Sequence, residues 1–173
     1  MGRSAVSSDV IDALNAARTI LFGLAPADVT ALKNVFVYPD SYEDVDADSL
    51  PFMIIQESVG RTASMGDIPT GGATRGWHDW AMELVLFLSR GENNWPSAGA
   101  ALAELQHRNW AIAINDMLAR NQTLGGTVFS IGEKRGQAFA FADYLIDSEQ
   151  WDQNPFWSMR FLVPITQIYD RGG

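Results

Sequence analysis

Cysteine is absent from this chain, and histidine and lysine occur only twice each, as His78, His107, Lys33 and Lys134. Each scarcity excludes something. Without cysteine there is no disulfide framework, no thiolate metal site and no thiol nucleophile, a composition that suits a reducing cytoplasm. Two histidines set far apart supply no close-spaced metal pair and no H-E-x-x-H, and a lone imidazole needs positioned partners before it can do acid–base work. His107 falls on the polar side of an expected helix. His78 is expected to face outward if Trp80 and Met82 face the core, or the reverse at the frayed end of its strand. A G-x-S-x-G nucleophile elbow is also missing. Apolar runs reach only about ten residues, against the roughly twenty that a membrane helix needs. The opening residues MGRSAVSSD lack the apolar stretch of a secretory leader, so none is expected.

What remains is globular. The 173 residues are 47% hydrophobic with six tryptophans, enough for one domain with a core of its own. The net charge of −9 argues against a protein that grips nucleic acid by its phosphates, although an acidic surface suits DNA that must slide past. Ten of the twelve cations are arginine, the better interface cation, or else a mark of base composition.

Periodicity divides the chain into elements. Ser7 and Ser8 can cap a helix from Asp9, with Val10, Leu14, Ala17 and Leu21 at helical spacing until Gly23 and Pro26 stop it. Strands follow at Asn34–Tyr38 and Pro51–Val59, separated by the acidic run Asp40–Asp48. The strand Trp77–Leu88 alternates Trp80, Met82, Leu84, Leu86 and Leu88 with Asp79, Glu83, Val85 and Phe87, so its outer end is expected to be buried on both sides. A second helix opens at Ser97 and runs to about Arg120. It carries Ala98, Ala101, Leu102, Leu105 and Ile112 on one side and Trp110, Ile114 and Leu118 on a rotated stripe. Leu124-Gly125-Gly126 ends it. Strands at Thr127–Ile131, Gln137–Ile146 and Phe156–Tyr169 complete the series, and Pro164 predicts a sheet edge or a bulge in the last of them. The order α-β-β-β-α-β-β-β predicts an α+β fold, a mostly antiparallel sheet with two helices on one face.

The most informative segment is Arg61–Gly76, RTASMGDIPTGGATRG, between the second and third strands. Hairpin strands join through two to five residues, so sixteen residues with four glycines form either a functional loop or a disordered one. It is not a phosphate cradle: Gly66-x-x-x-x-Gly71 is followed by Gly72-Ala73 where Lys-Ser/Thr is required, and by a strand rather than a helix. Two arginines, Met65 and Ile68 give it means to hold a partner. The acidic run fares no better as a calcium loop. Counted from Asp44, position six is Ser49 instead of Gly and position twelve is Ile55 instead of Glu. Asn121-Gln122-Thr123 is a chance glycosylation match. No cofactor or metal is expected, and no enzymatic activity.

Val35-Phe36-Val37-Tyr38-Pro39, the acidic spacer, Leu50-Pro51-Phe52-Met53-Ile54-Ile55 and the turn LARNQTLGGTV at Leu118–Val128 resemble the tail terminator proteins of long-tailed bacteriophages. The element order and size agree over Ser8 to Tyr169. The resemblance implies a non-enzymatic virion protein of the tail or neck, made in the host cytoplasm, which caps the tail tube as a hexameric ring and forms the head–tail joining surface. Its implied partners are copies of itself, the tail tube protein and a head-completion or connector protein. DNA would pass the lumen without specific binding, and no membrane is involved. On that reading Arg61, Met65, Ile68 and Arg75 contact the tube. Trp110, Ile114, Leu118, Val85 and Phe87 form the subunit interface, and Asp44, Asp46 and Asp48 face the lumen. The polar stretch Asp147–Pro155 departs from the family pattern. A tail tube subunit is the nearest alternative, though such subunits usually carry a single helix. A ligand-binding or enzymatic α+β domain is the alternative from another class.

Overall fold

The computed structural model describes residues 5–26, 31–37, 50–58, 64–67, 75–89, 99–132, 138, 141–145, 150–151 and 154–170. In chain order its elements are α1 (Ala5–Leu21), β1 (Asn34–Val37), β2 (Phe52–Glu57), β3 (Ser64–Asp67), β4 (Arg75–Ser89), α2 (Gly99–Ala119), a 3-10 turn (Leu124–Gly126), β5 (Ser130–Ile131), β6 (Phe141–Leu145), β7 (Gln150–Trp151) and β8 (Asn154–Asp170). The fold is α+β, as its alternation of periods predicts. Two strands exceed the expected set: β3, inside the long segment 61–76, and β7, inside the polar stretch before the last strand.

The sheet is built on β4 and β8, which pair antiparallel over fifteen residues, from Arg75 opposite Asp170 to Ser89 opposite Phe156. At about 3.3 Å per residue this ribbon is roughly 50 Å long. On one side of β4 lie β2 and then β1, the latter parallel to β2. On the far side of β8 lie β5, β6 and the short β7. Every pairing except β1 with β2 is antiparallel.

β2 and β3 act as two halves of one partner strand for β4. Glu57 lies opposite Met82, so an unbroken ladder would set Ser64 opposite Arg75; instead it lies opposite Asp79, a slip of four residues.

Alternation sorts the side chains onto two faces. One face carries Met53, Ile55, Met82, Leu84, Leu86, Met159, Phe161 and Val163, all fully buried beneath the helices. From above, α1 contributes Val10, Ala13, Leu14, Ala17 and Leu21, and α2 contributes Trp110, Ile114 and Leu118. α1 touches β1, β2, α2 and the 3-10 turn, which makes it the clamp between sheet and second helix. It begins at Ala5, a turn earlier than expected, so Ser7, Ser8 and Asp9 lie inside the helix and its first turn holds no acidic residue. It ends as expected: Gly23 takes φ 74°, a left-handed conformation in which a Cβ is costly, and the Leu24 N–H turns back onto the Leu21 carbonyl.

Pro164 marks neither a sheet edge nor a bulge, because β8 is internal. Its carbonyl accepts the Gly132 N–H at 2.8 Å, so its backbone polar groups point away from β4. The missing proline N–H therefore takes nothing from the β4–β8 ladder. It faces the break between β5, which pairs at Ile165 and Thr166, and β6, which pairs from Leu162 downward.

After α2 the chain reverses through Leu124, Gly125 and Gly126, all at positive φ (45°, 69° and 89°). The strained member, Leu124, is a fully buried anchor, and the two glycines carry the rest of the turn. A Cβ at Gly126 would meet nothing within 4 Å, so the cost of a side chain there is backbone strain alone. Gly126→Ala should lower the unfolding free energy by about 1–2 kcal/mol in a denaturant titration, and Gly126→Asn by less. Trp110, 1% exposed, is core. Trp110→Ala should cost about 3–5 kcal/mol in the isolated chain, a loss that an interface residue would not show in the same titration.

Candidate interaction surface

Of the residues expected to touch partners, the structure separates three groups. Arg61, Ile68 and the acidic residues Asp44, Asp46 and Asp48 lie outside the described residues. Met65 belongs to β3, opposite His78, and Arg75 begins β4, opposite Asp170. The long segment 61–76 is therefore in part an extension of the sheet. Its glycine-rich composition hides a four-residue strand, SMGD, too short and too polar to show alternation.

The expected subunit-interface residues are corrected. Trp110, Ile114 and Leu118 are at most 1% exposed and pack into the chain's own core. Of the two apolar stripes on the helix, theirs is the one that faces the sheet. Val85 and Phe87 do not form a free patch either. Phe87 is 5% exposed and stacks on Phe52, ring centroids 4.8 Å apart, while Phe36 meets Phe52 edge-on at 5.8 Å. With Ile54 and Leu50 they make a second, smaller apolar cluster on the sheet face away from the helices. The outer end of β4 is buried on both sides, as its sequence predicts, but within one chain.

Beyond that cluster the same face turns polar. Gln56 Nε2 donates to Glu83 Oε2 at 3.2 Å, and Arg160 Nε lies 3.3 Å from Glu83 Oε1. The second contact is an ion pair by distance without hydrogen-bond alignment, since Arg160 Nε has no aligned acceptor. The Arg160 side chain is 41% exposed, so solvent screens the pair and its contribution is small.

The candidate surface is the end of the sheet where β3, β4 and β8 lie side by side. Two rows cross it on the face away from the helices. Gly66, Trp77 and Ile168 form the outer row, and Ser64, Asp79 and Thr166 the inner one. Trp77 is half-buried and Ile168 is among the exposed large hydrophobics. Glycine in the outer row leaves no side chain beside the indole. The inner row is braced by Thr166 Oγ1, which donates to Asp79 Oδ1 at 2.6 Å. Among the described strands none pairs with the far side of β3.

The opposite face of this end is closed by a polar relay. Trp80 Nε1–H donates to Gln167 Oε1 at 2.8 Å, and Gln167 Nε2 donates to the Thr127 carbonyl at 3.4 Å. This ties β4 through β8 to the turn after α2. His78 shares the side of Trp80 and Met82, because residues two apart in a strand share a face, and at 4% exposure it takes the inward of the two expected placements. Its Nδ1 is buried without a hydrogen-bond partner, and its ring centroid is 6.5 Å from that of Trp80. Burial lowers the His78 pKa, against the weaker pull of the Glu57 and Asp79 carboxylates.

Sequence reasoning missed Gln167, Thr166 and Asp79 as a working set. Gln167 was detectable: it continues the core-facing parity of Phe161, Val163 and Ile165 with a polar side chain, which calls for a buried partner. Among the described residues no three of His, Cys, Asp and Glu gather where a metal could sit, and His78 Nδ1 has no hydrogen-bond partner that it could serve as a base. No helix there is long and apolar enough to cross a membrane. No family model matches the chain, and no curated protein matches it.

The burial of His78 has a pH consequence. The native state takes up the imidazole proton only below the ordinary value of 6.5, while the unfolded chain takes it up at that value. Between the two values the unfolded state binds more protons, so stability is lost as pH falls through that window and levels off beneath it. The melting temperature should hold steady above about pH 7 and begin to fall as pH drops below about 6.5, before most carboxylates titrate. His78→Phe should flatten that part of the profile.

Proposed function

We propose that this chain is a structural, non-enzymatic virion subunit of the tail terminator class, which caps the tail tube of a long-tailed phage and presents the surface on which the head docks. The observation that carries this reading is the β3–β4–β8 end of the sheet, with a β3 edge that no described strand pairs and a row in which half-buried Trp77 lies beside exposed Ile168. A strand edge with an apolar row beside it is a ready surface for another protein, since unpaired N–H and C=O groups invite a partner strand. The resemblance over Ser8 to Tyr169 supplies the class. Two helices packed on the sheet favour a terminator over a tail tube subunit.

On this reading the partners are the tail tube protein at the β3–β4–β8 end, a head-completion or connector protein, and further copies in a hexameric ring. Ring contacts join two different patches repeated about an axis. The net charge of −9 suits a lumen through which DNA passes without adhering.

The test is assembly. Purified protein mixed with tail tube protein should form rings at tube ends in negative-stain electron microscopy and stop tube growth. Replacing residues 69–74 with Asn-Gly, which keeps β3 and β4, should preserve the circular dichroism and melting temperature but reduce capping at least tenfold. A chain that binds no tube and arrests no growth would refute the reading.

A further inference from the structure

Helix α2 and Arg120, the residue just past its end, turn one ridge to solvent. Arg108, Ile112, Asp116 and Arg120 are all exposed, Ile112 to 53%, while Trp110, Ile114 and Leu118 are buried on the other side. Residues four apart line up as one ridge along the helix surface. Along it the character runs positive, apolar, negative, positive. In the sequence Glu104 takes the preceding position at the same spacing. The full order, negative, positive, apolar, negative, positive, is its own complement when reversed about Ile112. Turned end for end, Arg108 meets Asp116, the position of Glu104 meets Arg120, and Ile112 meets itself. Slid into parallel register, each charge meets its like.

We propose that a second copy of this chain packs on this ridge, α2 against α2, antiparallel about a twofold axis through Ile112. The occupant follows from charge: the ridge is complementary to itself in one orientation only. Exposed ion pairs add little strength, but they select orientation and exclude wrong partners. One helix pair is a small interface, so the dimer forms at high local concentration. The contact is isologous, a patch meeting itself, and does not rest on the tail terminator reading, whose ring contacts are heterologous.

The absence of cysteine makes the test direct. A disulfide needs Cα atoms within about 4–7 Å, and a position on a twofold axis meets its own copy. Ile112→Cys, oxidised mildly at high protein concentration, should give one covalent dimer on a non-reducing gel. Phe22→Cys, exposed just past the end of α1, should stay monomeric. In sedimentation over a concentration range, Asp116→Arg should weaken the dimer at least tenfold. Adding Arg108→Asp to it should restore the dimer by again setting opposite charges at positions 108 and 116 across the axis, with circular dichroism confirming that every variant is folded. The proposal is overturned if Ile112→Cys crosslinks no better than Phe22→Cys, or if the double variant stays as dissociated as Asp116→Arg. Failure to cap tubes would leave the crosslink unaffected, so the two readings fail separately.

Discussion

The fifteen-residue pairing of β4 with β8 is the interaction on which the other elements depend. It joins two segments far apart in sequence and gives both sheet faces their alternation, so that Met82, Leu84, Leu86, Met159, Phe161 and Val163 present one continuous apolar floor. α1 and α2 have somewhere to bury Leu14 and Trp110 only because that floor exists. A slip of one residue in the β4–β8 register would turn the floor toward the opposite face, where Glu83 and Arg160 belong. The hydrogen bond from Trp80 to Gln167 opposes such a slip, since it spans β4 and β8 and requires their register to be right.

The short strands finish what this pair begins. β2 and β3 together cover one flank of β4, and β5 and β6 together cover one flank of β8, each pair with a break in it. The breaks differ. The one on β8 accommodates the imino nitrogen of Pro164, whereas the one on β4 shifts the ladder by four residues. Hence the core half of the sheet is wide and roofed by helices, and the β3 half is narrow with an edge that no described strand covers.

Most of the architecture was legible in the amino-acid pattern, because the long elements carry strong periods. Both helices, β1, β2, β4 and β8 fall within a few residues of where Val10–Leu21, Phe52–Ile55, Trp80–Leu88 and Met159–Ile165 place them. β3 was not legible: four residues containing Gly66 and Asp67 have no alternation to read, and only pairing with β4 makes them a strand. Less of the candidate surface could be read. A helix with two apolar stripes does not state which one the sheet will take, so Trp110, Ile114 and Leu118 looked free for a partner until the sheet claimed them. Trp77 and Ile168 gain meaning only as cross-strand neighbours, which a register supplies and a list of residues does not.

The span between β4 and β8 also bears on how the chain reaches this state. The whole of α2 and the short strands β5–β7 must be held in an open loop before the first residue of β8 can add to β4. Contacts of such long range are slow to close, because chain entropy is lost before any pairing rewards it. Early in folding β4 therefore has only its local neighbours β2 and β3, and its β8-facing edge waits uncovered. Helix α1, by contrast, makes its contacts with β1 and β2 across much shorter stretches of chain.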